Sequence, residues 1–198
     1  MPDQIAIWHR DHVNFVRLLD LLETQINIFH DAGHPNYELM LDVMYYMIHY
    51  PNQFHHPKED VAFKKVAKKD NSMESVVTDL MTQHQVIAER GKRLFEQLDA
   101  VVAGAMMTRE SVESPGRTYI SYMRNHMNQE ETQLFPTALK KLRIEDWIAV
   151  DAAIKSQEDP LFGGTVQKRY EALLQQIARE AECGCQPASQ SPRMEKSA

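Results

Sequence analysis

Residues 5–29 read IAIWHRDHVNFVRLLDLLETQINIF, and their periodicity decides the fold. Ile5, Trp8, His12, Phe15, Leu19, Leu22, Ile26 and Phe29 recur at alternating steps of three and four. That spacing lays one stripe along a single long helix. Asp31-Ala32-Gly33-His34-Pro35 closes it.

The same rhythm returns three times further along the chain. From Tyr37 to Ala67 it passes through Leu41, Met44, Ile48, His55, Glu59 and Phe63, with Pro51 and Pro57 expected to kink or locally break the helix. The third stripe is Met73, Val77, Leu80, His84, Ile87, Gly91, Leu94, Leu98 and Val101, with Asn71 or Ser72 as its N-cap. The fourth begins near Thr108 or Ser114, where Pro115 suits a first turn. It reads Tyr119, Met123, His126, Glu130 and Leu134 before Pro136 weakens or ends it.

Four long helices with short connections predict an all-α, antiparallel up-down four-helix bundle over residues 1–142. Residues 143–182 form a helical extension expected to pack on the bundle. Its helices lie around Glu145–Gln157 and from Thr165 to Ala181, with a loop at 159–164 between them. From residue 183 the composition turns to Gly, Pro, Ser and Gln, so residues 183–198 are expected to be a disordered tail.

Composition bounds the function. The chain has 198 residues, 43% hydrophobic and 25% charged, and a formal charge of −6 with no basic patch or stripe. Nucleic acid is therefore not an expected partner. No apolar run approaches a membrane span, and the first residues lack the basic and apolar regions of a signal peptide. The 2 cysteines both lie near the end and cannot staple a fold of this size, so a reducing cytoplasm is the expected location.

The informative residues are polar ones on core stripes. His12, His55, His84 and His126 sit where Leu or Ile belongs, one per helix, and Glu59 and Glu130 share those faces. A buried carboxylate without a partner costs several kcal/mol, so something must compensate two of them. His55–Glu59 and His126–Glu130 are both i, i+4 pairs on one helical face. His12 precedes its HxxxE pair by almost the same distance as His84 precedes its own. The chain thus reads as two hairpins, each giving a His on its first helix and HxxxE on its second. Imidazole with carboxylate is an iron, manganese or zinc set, and six ligands suit two metals bridged by the glutamates. Two octahedral ions need about 12 positions and these side chains fill about 8, leaving room for water, a bridge or a small exogenous ligand. Trp8, Tyr119, Tyr122 and Met123 are expected in the pocket wall.

These residues resemble the hemerythrin-like, or HHE cation-binding, family. The matching stretches are His9-Arg10-Asp11-His12, residues 54–60 (FHHPKED), His84, and residues 126–131 (HMNQEE) followed by Leu134-Phe135-Pro136. The resemblance implies a bundle holding two non-haem irons, with His12, His55, Glu59, His84, His126 and Glu130 as ligands. Manganese or a mixed iron–manganese pair is served by the same set. The oxygen-carrying members have a second His one turn after the third-helix ligand, where this chain has Ala88, and an Asp in place of the second HxxxE. The present set is more similar to diiron proteins of oxidative and nitrosative stress. Ferritin-like bundles use ExxH, and no His here has a Glu three residues before it.

Neighbouring features admit two readings each. His56 is the alternative to His55, and the i+4 spacing of the fourth-helix pair favours His55. His9 reads as a supporting or surface residue. Pro57, inside the ligand pair, either aims His55 and Glu59 or is a tolerated irregularity. Met40, Met44, Met47, Met106 and Met107 read as core filler. Cys183-Gly184-Cys185 is either a redox or metal-transfer pair or two thiols with no role. The function expected is a protein that binds, reacts with or senses O2, NO or peroxide, as a monomer or homodimer. The alternatives are an oxygen or iron store, including one serving iron–sulfur repair, and a metal-free signalling bundle.

Overall fold

The computed structural model describes residues 4–155 and 157–183, and among them every regular element is helical. Helix α1 spans Gln4–His30, α2 Tyr37–Tyr50, α3 His56–Lys69, α4 Glu74–Val102, α5 Arg109–Gln129 and α6 Phe135–Lys141. Two five-residue π segments, Pro51–His55 and Glu130–Leu134, join α2 to α3 and α5 to α6 into continuous rods. The four rods form the expected bundle: α1 packs on α2 and α5, and α4 packs on α2, α3 and α5.

Both π segments end just before a proline. Pro57 and Pro136 have no N–H to return to the residue four back, so the regular ladder cannot run through them. The His56 N–H instead donates to the Pro51 carbonyl, and the Phe135 N–H to the Glu130 carbonyl, each closing a wider turn. Pro51 and Pro57, each expected to interrupt the second helix, flank a single π turn, and the other π turn lies just before Pro136, where the fourth helix was expected to weaken or end.

The other helix ends follow local chemistry. Asn36 caps α2 by accepting from the Leu39 N–H at 3.0 Å. Thr108 caps α5, which places Pro115 inside that helix rather than in its first turn. Before α4, the cap is neither Asn71 nor Ser72: Asp70 accepts from the Ser72 N–H and starts a short 3-10 turn over Asn71–Met73.

The core is divided in two. One cluster gathers Phe15, Leu18, Leu22, Met40, Met44, Leu94, Tyr119 and Met123; the other gathers Trp8, Phe63, Val66, Val77, Leu80, Leu134 and Phe135. On every rod, the polar residues singled out from sequence fall between the two. Met40, Met44 and Met47 are fully buried, whereas Met106 is fully exposed and Met107 lies at the surface, so those two are not core filler. Gly91 lets α4 approach its neighbours: a Cβ there would stand 3.0 Å from Ile48 and 3.1 Å from Tyr119.

Beyond the bundle, α7 (Ile144–Ala153) packs on α3 and α8 (Glu171–Cys183) on α1 and α2. Asp159 pins the connection between them. One of its oxygens accepts the N–H groups of Leu161 and Phe162, and the other accepts the Tyr46 hydroxyl at 2.8 Å. Leu161, Tyr170 and Leu173 are thereby buried against the first core cluster. The tail expected from residue 183 lies outside the described residues, apart from the backbone of Cys183 at the end of α8.

Candidate metal centre

The six residues singled out from sequence meet at one level of the bundle. His12 comes from α1, His55 from the end of the first π segment, Glu59 from α3, His84 from α4, His126 from α5 and Glu130 from the start of the second π segment. All six are buried, and Glu59, His126 and Glu130 have no exposed surface.

The imidazoles point their Nε2 atoms inward at the carboxylates. His55 Nε2 lies 3.1 Å from Glu59 Oε1 and His12 Nε2 3.7 Å from the same atom, while Glu59 Oε2 faces His84 Nε2 at 3.7 Å. Glu130 Oε1 lies 3.3 Å from both His84 Nε2 and His126 Nε2, and its Oε2 lies 3.4 Å from His12 Nε2. Each glutamate therefore spans the cluster, one oxygen toward His12 and the other toward His84.

The outward Nδ1 atoms are all held. His12 Nδ1 donates to Glu131 at 2.9 Å, His55 Nδ1 to Asp11 at 2.9 Å, His84 Nδ1 to Asp60 at 2.8 Å and His126 Nδ1 to Gln83 at 3.0 Å. In the neutral ring, a proton fixed on Nδ1 leaves Nε2 as the lone-pair nitrogen facing the centre, the tautomer a metal ligand needs. Gln83 is itself oriented by donating to Gln129 at 2.8 Å.

Without a cation the centre is under-satisfied. Both oxygens of Glu59, Glu130 Oε2, His126 Nε2 and His56 Nδ1 are sealed from solvent with no hydrogen-bond partner. Such concentrations of orphaned groups are rare in folded proteins and costly. The donor set of imidazole nitrogens and carboxylate oxygens fits divalent transition ions that would satisfy all of them at once.

The electrostatics show the same stress. Burial opposes a charge on His55, yet Glu59 and Asp11 outweigh it and lift the imidazole to about 10. His84 is likewise lifted to about 9, against burial, by Asp60, Glu130 and Glu59. Burial and the neighbouring His84 drive His126 well below its usual value. Burial together with the Glu59 charge raises Glu130, while Glu59 is lowered because His55, His12 and His84 overcome its burial.

The sequence profile of the hemerythrin HHE cation-binding domain matches residues 3–138. The chain belongs to the hemerythrin HHE cation-binding domain family. No curated protein matches the chain. Family membership makes this a metal-binding helical protein, and the buried His/Glu cluster is compatible with that role. Among the described residues no helix is long and apolar enough to cross a membrane.

Several residues of the centre carry no periodicity signal. Asp11, Gln83, Asp60 and Glu131 were not singled out, yet each is the immediate chain neighbour of a residue that was. A usable rule follows: the residue before a first-helix His reaches the second-helix imidazole of its own hairpin, and the residue after a second-helix Glu reaches the first-helix imidazole of the other hairpin. His9 is 63% exposed at its side chain and shares Glu131 with His12, its Nδ1 also 2.9 Å from Oε1. Of the expected pocket wall, Trp8 lies beneath the centre, stacked on Phe135, which in turn stacks on His12. Tyr119 packs at Gly91, two helical turns from the histidines, and its hydroxyl has no partner.

Proposed function

We propose that His12, His55, Glu59, His84, His126 and Glu130 bind two metal ions, two irons in the first reading, and that the pair binds, reacts with or senses O2, NO or peroxide. The observation that carries this reading is the disposition of Glu59 and Glu130. Each places one oxygen on the His12 side and one on the His84 side, in a layer whose polar atoms lack other partners. Carboxylates that face two ways between paired imidazoles are suited to bridging two cations. Bound iron supplies electrons and Lewis acidity to a small ligand.

The protein's own groups prepare that chemistry. Asp11, Asp60, Gln83 and Glu131 fix the imidazole tautomers and orientations. Trp8, Phe63 and Phe135 close the layer from one end with apolar surface, and Phe15 closes it from the other. The confined layer favours a ligand of two or three atoms over an organic substrate of any size.

The deciding experiment is the optical spectrum of anaerobically iron-loaded protein before O2, after O2 and after deoxygenation. Two irons per chain with new charge-transfer bands are expected. Reversible bands make the protein an oxygen binder, and bands that persist make it a redox-reacting or sensing protein. Failure to retain iron, with no bands, refutes the diiron reading.

A further inference from the structure

Tyr46 is a buried phenol with a proton acceptor in place. It lies on α2 with no exposed surface, and its hydroxyl donates to Asp159 Oδ2 at 2.8 Å, an ordinary length for an O–H···O bond. Tyr119 is the contrast: it is also buried, but its hydroxyl has no partner. Asp159 is held ready to take a proton. Its Oδ1 accepts the N–H groups of both Leu161 and Phe162 at 2.8 Å, so the loop stays pinned whether or not Oδ2 is protonated. Burial raises the Asp159 carboxyl above the usual carboxylate range, which eases that uptake. Asp159 lies beyond residues 3–138, the span matched by the family profile, so the acceptor comes from the C-terminal extension of this chain.

One ring separates this pair from the metal-binding layer. Phe15 stands edge-on to the His55 ring, with centroids 5.0 Å apart, and edge-on to Tyr46 at 6.2 Å. Electrons cross ring contacts of this kind by tunnelling, whereas a proton moves only along a hydrogen bond. A sealed phenol that lost an electron and kept its proton would become a buried cation, a costly state. Passing the proton to Asp159 avoids that charge and neutralises a partly buried carboxylate as well. Tyr119 has no such outlet.

We propose that Tyr46 is a one-electron donor to the metal pair and that Asp159 Oδ2 receives its hydroxyl proton. This role rests on the two-iron reading above and adds to it a redox-active side chain. The oxidant is a peroxide. One hydrogen peroxide takes up two electrons, one from a ferrous ion, which becomes ferric, and one from Tyr46. Two protons from solvent complete two waters. The Tyr46 O–H bond breaks, its proton forms an O–H bond on Asp159, and a neutral phenoxyl radical is left. Stacking on Tyr50 at 5.5 Å and edge-on contacts with Phe162 and Tyr170 shield that radical.

The test uses the full chain loaded with one ferrous and one ferric ion, given an equivalent of hydrogen peroxide and frozen for electron paramagnetic resonance. A tyrosyl radical is expected in wild-type protein, its signal narrowed when ring-deuterated tyrosine is incorporated. Tyr46→Phe and Asp159→Asn are each expected to lower the radical yield at least tenfold, and Tyr119→Phe to leave it unchanged. Wild-type yield in Tyr46→Phe, or a tenfold loss in Tyr119→Phe, overturns the assignment of Tyr46. Wild-type yield in Asp159→Asn overturns the proton acceptor. If the Tyr46 and Asp159 variants do not fold, electron–nuclear double resonance of the wild-type radical in H2O and D2O decides. An exchangeable proton hydrogen-bonded to the phenoxyl oxygen, as protonated Asp159 supplies, supports the pair, and its absence overturns it. Wild-type protein that holds two irons but forms no radical also overturns the proposal. Protein that never holds two irons refutes the two-ion reading instead, and metal analysis before peroxide is added separates the two failures.

Discussion

The two hairpins, α1–α3 and α4–α6, present one plan twice with different side chains at matching places. In both, the residue before the first-helix His holds the second-helix His of the same hairpin, and the residue after the second-helix Glu holds the first-helix His of the other hairpin. The differences are few: Asp11 matches Gln83, and His56 matches Met127. Asp11 helps lift His55 to about 10, whereas His126, held by an amide, is driven well below its ordinary value. The repeat sets where donors stand, and single substitutions between the halves set what each half can hold.

Removing a spanning carboxylate breaks both halves together and carries the largest expected effect. Glu130→Gln keeps shape but removes a charge that burial and Glu59 both oppose. Its metal-free form is expected to melt at or above the wild-type temperature, because an uncompensated buried charge is gone. Metal-induced stabilisation should largely vanish. Wild-type protein in excess metal should gain about 5 °C or more, from binding worth ~2.7 kcal/mol at a hundredfold excess over Kd. Paired melts with and without Fe(II) or Co(II) check both signs, and a Glu130→Gln protein stabilised by metal as strongly as wild type contradicts the bridging role.

Protons compete with metal most strongly at His55 and His84. Both values are raised above the ordinary 6.5, so their favourable contribution to the metal-free fold is complete below pH 6.5 and is lost as pH rises through about 9 and about 10. Metal needs the neutral imidazole, so binding near pH 7 releases protons and tightens as pH rises, by about tenfold per pH unit for each proton released. Calorimetric titration with Co(II) in buffers of different ionisation enthalpy reads the number directly. Binding heats independent of buffer would exclude protonated His55 and His84 in the metal-free chain.

Exchanging the groups behind the imidazoles sharpens the comparison at a smaller scale. Asp11→Asn makes the first hairpin like the second, and Gln83→Glu does the reverse. Losing a carboxylate behind a ligating histidine costs about 10–100-fold in metal affinity. Asp11→Asn is therefore expected to weaken one ion by about tenfold, and Gln83→Glu to strengthen the other by a lesser factor. Equal and opposite shifts of a single binding step in the two variants would show instead that both residues serve the same ion.

Much of this was legible because burial writes itself into helical periodicity. His12, His84, Glu59 and Glu130 stood out as polar residues on apolar stripes, and those stripes are the observed core. Asp11, Asp60, Gln83 and Glu131 were not visible in that way. They lie at the edges of the layer, where a polar residue is unremarkable, and only the crossing of helices shows what they touch. His56 was hidden for another reason: a stripe counted at three and four admits His55 or His56 but not both. Both are buried, one ring against His12 and the other against His84, so the inward face at this level is wider than a single stripe.

The prolines behind the two π segments offer the finest comparison. Pro57 and Pro136 each prevent a regular helix at the turn before them, but Pro57 follows His56 while Pro136 follows Phe135, which packs on His12 and Trp8. Pro57→Ala restores an N–H that can donate to the residue four back, so the turn can tighten and shift His55 and Glu59, which lie at its end and beyond it. Metal-free stability should change by no more than about 1 kcal/mol, because the gained helical bond is offset by a looser unfolded chain. Metal affinity should fall by a few-fold, less than the loss caused by removing the Glu130 carboxylate. Pro136→Ala should shift the melting temperature by a similar amount and leave metal affinity within twofold of wild type, since His126 precedes its π segment and Glu130 begins it. If the two variants lose affinity alike, the π turn before Pro57 serves packing alone and does not aim His55 and Glu59.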